Sequence, residues 1–365
     1  MVVDDIMREA QVRSFVHQAP AQRIVFGVGT IASVGTELDR LNATRAVVLS
    51  TPGHRHLADG VAELLGPRAV GQFHGALPHT PVEATEQALE VVRDRRGDAV
   101  VSVGGGSTTG LGKAVASRLG IRHLVTPTTY AGSELTSVLG ETSGGEKTTQ
   151  SGPEILPNAV IYDVELTATL PWSVTVPSAI NAMAHAVEAL YSPDAKDRTD
   201  EMALEAIRSI DQGLRALQDD RASLGARSEL LYGAYLAGTC LGAVGMGLHH
   251  KLCHVLGGTF DLPHAPTHAV VLPYAMAYNE AATRAAMSRI AEALESDHAP
   301  SAVQSLVREL GGPTALRDIG FARVDIGHAA GLAVSRPYPN PGGVTHAGIV
   351  ELLSKAFDGK RVRST

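Results

Sequence analysis

Along the first 160 residues, short continuous apolar runs alternate with longer segments whose apolar positions recur every three or four residues. "RAVVLST" (45–51), "DAVVSV" (98–103) and "IRHLVTP" (121–127) have strand length and the unbroken hydrophobicity of strands covered on both faces. "VEATEQALEVVRDR" (82–95) carries a single apolar stripe and reads as an amphipathic helix. This alternation predicts a parallel sheet with covering helices. After "NAVIYD" (158–163) the texture changes to Ala- and Leu-rich segments with helical spacing. Helices are expected over 201–218, 226–256, 266–283, 286–296, 300–311 and 345–357, and over "PSAINAMAHAVEALYS" (177–192) with Ser178 as its N-cap. The expected fold is an α/β domain with a Rossmann-like parallel sheet (1–162), then an all-α domain (163–365), with a cleft between them.

A chain of 365 residues is long enough for two such cores. A formal charge of -7 gives no general attraction to nucleic acid or anionic membrane. Cys240 and Cys253 stand in apolar surroundings, so a disulfide scaffold is not expected. "MVVDDIMREAQ" is too acidic and too broken for a signal peptide. "LLYGAYLAGTCLGAVGMGL" (230–248) just reaches membrane-spanning length, but it runs straight into a histidine cluster, and it reads as a buried helix. The setting expected is cytoplasmic.

"SVGGGSTTGLGK" (102–113) is a strand ending in three glycines that open a helix. Exposed N–H groups and the helix N-terminus make such a turn a phosphate cradle, although it is neither a Walker loop nor a complete G-x-G-x-x-G. "TPTTYAGSELT" (126–136) follows another strand end and offers hydroxyls to a nucleotide groove. "LSTPG" (49–53) ends its strand with Ser50 and Thr51 rather than an acid, so no carboxylate repels a ribose 2′-phosphate, and NADP(H) is expected to be accepted beside NAD(H). Asn181 and His185 share one helix face, as do His250 and His254; His264 and His268 follow. Three imidazoles, His185, His250 and His264, around one cleft would suit a divalent ion if a carboxylate joined them.

"GGGST…GK", "PTTYAGSE", "NAMAHAVEALYS" and "HHKLCHVLGGTFDLPHA", in this order, resemble the iron-containing alcohol dehydrogenase superfamily, whose architecture is like that of dehydroquinate synthase. "FVHQAPAQRIVFGVGT", "PTTYAGSE" and "PYPNPGG" look most like its maleylacetate reductases. The resemblance implies a pyrophosphate-binding turn at Gly104, Gly105, Gly106 and Ser107. It implies a loop at Thr126, Thr129 and Tyr130 beside the nicotinamide. The metal-ligand positions of metal-dependent members fall on Asn181, His185, His250 and His264, and a non-ligand catalytic histidine on His254. This chain departs from the family in two places. Asn181 stands where the ligand aspartate is usual, and Gly110 stands where an acid commonly follows the glycine turn. Both changes remove negative charge, which favours a doubly anionic substrate; the amide at Asn181 weakens the site for iron and favours a mechanism without metal, although three imidazoles alone could still hold zinc.

The resemblance thus implies NADH- or NADPH-dependent reduction of the double bond of maleylacetate to 3-oxoadipate, by a homodimer acting on a small dicarboxylate. His254 is the first candidate acid, with His250, His185 and His264 around it. Lys251, His249, Asn181 and Tyr338 are candidates for holding substrate, with His264, His268 and Arg336 as further carboxylate partners. The alternatives are a metal-dependent (Fe or Zn) alcohol dehydrogenase of the same superfamily, a dehydroquinate synthase-like lyase, for which the region around "HHKLCH" has too few lysines, and a metal-sequestering protein, which leaves the glycine cradle unexplained.

Overall fold

The computed structural model of the chain describes residues 15–18, 22–144 and 146–363. The opening segment judged unlike a signal peptide lies outside the described residues. The strands are β1 (Phe15–Gln18), β2 (Arg23–Gly27), β3 (Ala46–Leu49), β4 (Ala69–Phe73), β5 (Ala99–Gly104), β6 (Arg122–Pro127), β7 (Val138–Ser143), β8 (Glu146–Ser151) and β9 (Ala159–Asp163). Seven form one sheet in the order β1-β2-β9-β6-β5-β3-β4, parallel except for β1, while β7 and β8 pair as a separate antiparallel hairpin. Helices α1 (Val34–Arg40), α2 (Arg55–Leu65), α3 (Val82–Asp94) and α4 (Gly106–Leu119) alternate with the parallel strands. Every residue of β3, β5 and β9 is buried, as continuous apolar runs covered by helices require.

The chain reverses its direction of travel across the sheet between β3 and β5, which are direct neighbours with Leu49 opposite Ser102. Ligands of open α/β sheets bind outside the strand ends at such a switch point. Residues 50–51 and the glycines at 104–106 therefore emerge side by side.

From Trp172 onward the chain is helical: α5 (Trp172–Ala189), α6 (Asp197–Asp219), α7 (Leu224–Ala243), α8 (Leu248–Phe260), α9 (His264–Asn279), α10 (Arg284–Ala293), α11 (Ala299–Glu309), α12 (Ile326–Val334) and α13 (His346–Asp358). One apolar cluster joins α5, α6, α7 and α9 to Ile24, Phe26, Val125 and Tyr162 of the sheet, so the two halves share a core.

Two helix expectations are corrected. Ser178 is not an N-cap: α5 begins six residues earlier, at Trp172, and carries Pro177 inside its second turn, at the loss of one N–H from the helical ladder. The hydroxyl of Ser178 instead accepts the backbone N–H of Tyr130 at 3.0 Å, tying a loop to the helix. The continuous helix expected over 226–256 breaks after Ala243 and turns by 96° into α8. Carboxylates capture the N–H groups at the break: Asp194 takes that of Gly245 at 3.0 Å and Glu188 that of Gly247 at 2.9 Å. Among the described residues, no single helix is long and apolar enough to cross a membrane.

Glu188, on α5 and fully buried, is the cap of α8. Its carboxylate accepts the N–H groups of Gly247 at 2.9 Å, His249 at 2.9 Å and His250 at 3.4 Å, and the Nδ1 of His250 at 2.7 Å. A negative charge at a helix N-terminus is favourable, and here it is withdrawn from water, so each bond counts. Glu188→Ala strands buried N–H groups and is expected to cost about 3 kcal/mol, read from the denaturation midpoint, with Glu188→Gln recovering part of the loss. An alanine variant as stable as the parent contradicts this role.

His123 on β6 is also fully buried, its Nε2 2.9 Å from the Ser102 hydroxyl. Burial, reinforced by Lys113, pushes its imidazole down to about 3. The unfolded chain therefore binds a proton below its ordinary histidine value that the folded chain refuses, and stability falls as pH drops from there toward 3. The contribution of one such group is about 1.4 kcal/mol per pH unit. The unfolding free energy of His123→Gln is expected to fall less steeply with acid than the parent's by that one proton; equal slopes contradict the assignment.

Candidate active site

The glycine turn follows β5 directly. Gly104 has φ +150°, and a Cβ on it would meet the Thr108 hydroxyl at 2.5 Å; one on Gly105 would meet that of Thr129 at 2.8 Å. Backbone N–H groups at the start of α4 thus stay open to an anion. Gly106 and Ser107 are the first two residues of α4 and remain accessible. Around the turn, the hydroxyls of Thr108, Thr128 and Ser133 are buried without partners. A Cβ on Gly110, where the resemblance implied an acid in other members, would meet the Thr80 hydroxyl at 2.4 Å, so a side chain there would force Thr80 to move.

The loop over 127–136 bridges the turn and the histidines. Lys113 of α4, buried, holds it by donating to the carbonyls of Ser133 (2.6 Å), Thr136 (2.7 Å) and Val138 (2.8 Å) and to the Thr136 hydroxyl (2.9 Å). At the far side of the loop, Gly132 sits at φ +77° against α7 and α5. A Cβ there would lie 3.1 Å from Gly238 Cα and 3.3 Å from His185 Nδ1. Only glycine lets the loop pass this close to the imidazole.

The histidines form a stack behind that contact. The ring of His185 lies 5.0 Å from His250, nearly parallel. His250 lies 6.2 Å from His254 and 5.1 Å from His268, and His268 lies 4.4 Å from His264. His254 and His264 are at exposed positions, whereas His185, His249, His250 and His268 are buried. Five buried atoms of the cluster have no partner: Asn181 Oδ1, His185 Nδ1, His249 Nδ1, His250 Nε2 and His268 Nε2. Burial, and then the neighbouring imidazoles, holds His185, His249 and His268 well below the ordinary histidine value, so they are neutral near pH 7.

This donor set fits a divalent ion of intermediate softness. Two unpartnered imidazole nitrogens belong to His185 and His250, and the other nitrogen of His250 is oriented by Glu188, the arrangement that supports imidazole ligands. With a neutral amide at Asn181 in place of a carboxylate, it is a weaker set for hard iron.

The other expected site residues divide. Lys251 is half-buried, its Nζ 5.8 Å from the Tyr338 ring. The buried Tyr338 hydroxyl has no partner, and burial, with Tyr278 and Glu188 adding, pushes it up to about 12, so it stays a neutral donor. Arg336 is exposed beside it in sequence. Thr51 is half-buried, with its hydroxyl 2.8 Å from His54 Nδ1.

Four expectations are corrected. Ser50 is fully buried, its hydroxyl held by the Thr51 carbonyl and His74 Nδ1. Thr126 is fully buried and donates to the Ser102 carbonyl at 3.3 Å. The ring of Tyr130 lies in the shared core, its hydroxyl accepts from Arg227 at 3.2 Å and its N–H is given to Ser178, so its side chain does not face a cofactor. His249 does not face an open groove: it is fully enclosed, and its Nε2 pairs with His268 Nδ1 at 2.9 Å. The sequence reading missed Glu188, Lys113, His54 and His74. Only Lys113, in the "GLGK" that closes the glycine motif, carried a signal.

Residues 21–164 match the iron-containing alcohol dehydrogenase family, and residues 175–357 match the C-terminal part of the Fe-containing alcohol dehydrogenase family. The chain is 49% identical to maleylacetate reductase 1 of Rhodococcus opacus over 95% of this chain and 97% of that one. It is 48% identical to the maleylacetate reductase of Rhizobium sp. (strain MTP-10005), over 95% and 99%. The crystal structure of maleylacetate reductase from Agrobacterium tumefaciens superposes with a TM-score of 0.90 at 46% identity, covering 96% of this chain and 100% of that one. The chain therefore belongs to the iron-containing alcohol dehydrogenase family, in its maleylacetate reductase group, and is an NAD(P)H-dependent oxidoreductase.

Proposed function

We propose that this chain reduces the carbon–carbon double bond of maleylacetate to 3-oxoadipate with NADH or NADPH, without a bound metal, as a cytoplasmic homodimer. The 1–162 domain carries the nicotinamide cofactor and the 163–365 domain the substrate. The observation that carries the reading is Asn181, a neutral amide with a buried unpartnered oxygen in a cluster of neutral imidazoles. A carboxylate there would repel a dianionic substrate at close range.

Gly104, Gly105, Gly106 and Ser107 would hold the cofactor's pyrophosphate, with Thr129 and His185 on the side of the loop where the hydride would be delivered. Thr51, half-buried at the end of β3, brings no charge to repel a ribose 2′-phosphate, so both cofactors would be taken. Bound NADH or NADPH would supply a hydride to the alkene carbon β to the ketone. The alkene electrons move toward the carbonyl, and negative charge gathers on the ketone oxygen as an enolate. N–H and O–H donors of the cluster stabilise that oxygen. The α-carbon then gains a proton, for which the accessible His254 is the donor, resupplied from solvent. Lys251 and Arg336, with the Tyr338 hydroxyl, receive the substrate carboxylates. A divalent ion would be held by Asn181, His185, His250 and His264 and would polarise a carbonyl.

Chelator-treated protein mixed with NADPH or NADH and maleylacetate is expected to oxidise one cofactor per substrate, followed by absorbance, with activity unmoved by added iron or zinc. Asn181→Asp is expected to raise metal affinity and lower activity with maleylacetate about tenfold or more. Turnover that appears only after metal is added overturns the metal-free reading.

A further inference from the structure

Away from the site described above, a cleft of about 480 Å³ opens between α9, α13 and the segment that follows α13. Tyr274 and Tyr278 of α9 and Leu352 of α13 give it aromatic and apolar walls. Lys355, Lys360, Arg361 and Arg363 also line it, with Glu280 and Glu351 among them. We propose that this cleft binds a small aromatic carboxylate, with its ring against the tyrosines and its carboxylate on Arg361 and Arg363. The site is separate from the reaction proposed above and requires no step of it.

Side chains of α9 and α11 pin the main chain that forms the third wall. The carbonyl of Lys360 accepts from the Tyr274 hydroxyl at 2.8 Å and from Gln304 Nε2 at 2.9 Å. The N–H of Val362 donates to Gln304 Oε1 at 2.8 Å, and its carbonyl accepts from the Ser301 hydroxyl at 3.1 Å. Tyr274 and Gln304 are themselves buried. The two arginines thus stand on a fixed backbone, and less freedom is lost when they take a ligand. On the opposite wall the Tyr278 ring lies against Gly348, where a Cβ would meet it at 2.9 Å. The Tyr278 hydroxyl donates to the Gly343 carbonyl at 2.9 Å, which holds the ring in place.

The charges select an anion. Glu351 is paired with Lys355 at 2.7 Å, and Glu280 with His298 Nε2 at 2.9 Å, so both acids of the cleft are engaged. Asp358, 4.0 Å from Lys360, is shared with Arg317 and Arg323. Among the described residues no acid pairs with Arg361 or Arg363. Two unpaired guanidiniums therefore meet at one cleft of a chain whose formal charge is -7. A guanidinium matches the planar fork of a carboxylate. Exposed cations are ordinarily just solvated, and the aromatic walls are what raise these above that background. A small inorganic anion would leave the tyrosines and Leu352 in water, whereas a ring would bury them. The volume lies within the range of small-molecule sites, about 300–1,000 Å³.

The test adds 4-fluorobenzoate to the full chain and follows it by 19F NMR. Saturable binding of one molecule per chain is expected, with a Kd of about 1 mM or tighter. Arg361→Gln combined with Arg363→Gln is expected to weaken it about tenfold or more. Ala277→Trp, which fills the cleft, is expected to abolish it. Unchanged NADPH affinity, kcat and KM certify the fold of both variants. 4-Fluorobenzyl alcohol, which lacks the charge, and trifluoroacetate, which lacks the ring, are each expected to bind about tenfold more weakly than 4-fluorobenzoate. Absence of saturable binding by the parent, undiminished binding by the double variant, or equal binding of the alcohol or of trifluoroacetate each overturns the proposal.

Discussion

A carboxylate with almost no water around it must find its hydrogen bonds in the protein, and Glu188 finds four, all within residues 247–250. That single group fixes where α8 starts, where the chain bends away from α7, and how the His250 ring is turned. Because Glu188, His185 and Asn181 lie on one face of α5, the helix that supplies the cluster also aims it. Remove the charge and the two helices lose their register together, so the site is no more rigid than this cap.

The second constraint is steric. The loop over 127–136 touches the glycine turn at one end, where Gly105 meets Thr129, and the histidines at the other, where Gly132 meets His185. Lys113 fastens the same loop from the helix that begins at the glycines. Cofactor turn and histidine cluster are therefore parts of one mechanical unit. Apart from the Glu188 carboxylate, whose hydrogen bonds all go to residues 247–250, the site is lined by an amide and buried uncharged imidazoles, with the cations Lys251 and Arg336 toward the outside. On the proposed reading such a site would receive a dianion and stabilise a transient oxyanion with fixed dipoles.

The sheet, the glycine turn and the helical second half were legible because each rests on local periodicity. Continuous apolar runs become strands covered on both sides, and Asn181 and His185 share a face by spacing alone. What stayed hidden depends on long-range partners. Pro177 and Ser178 look like a helix start, yet α5 begins six residues before Ser178 and carries the proline inside its second turn, and Ser178 is claimed by Tyr130. The run 226–256 keeps one apolar texture across a bend that Asp194 and Glu188 impose from elsewhere in the chain. Tyr130 sits in a loop motif that reads as cofactor-facing, but Arg227, distant in sequence, draws it into the core. His249 and His268 read as separate histidines until the packing of α8 on α9 pairs them.

The most direct measurement of the account follows the hydride. Chelator-treated protein is given cofactor deuterated at the transferable C4 position and maleylacetate, and the product is examined by NMR. The account predicts one deuterium on the methylene carbon β to an intact ketone. Deuterium on a newly formed alcohol carbon, or label that enters only after metal is restored, would contradict it.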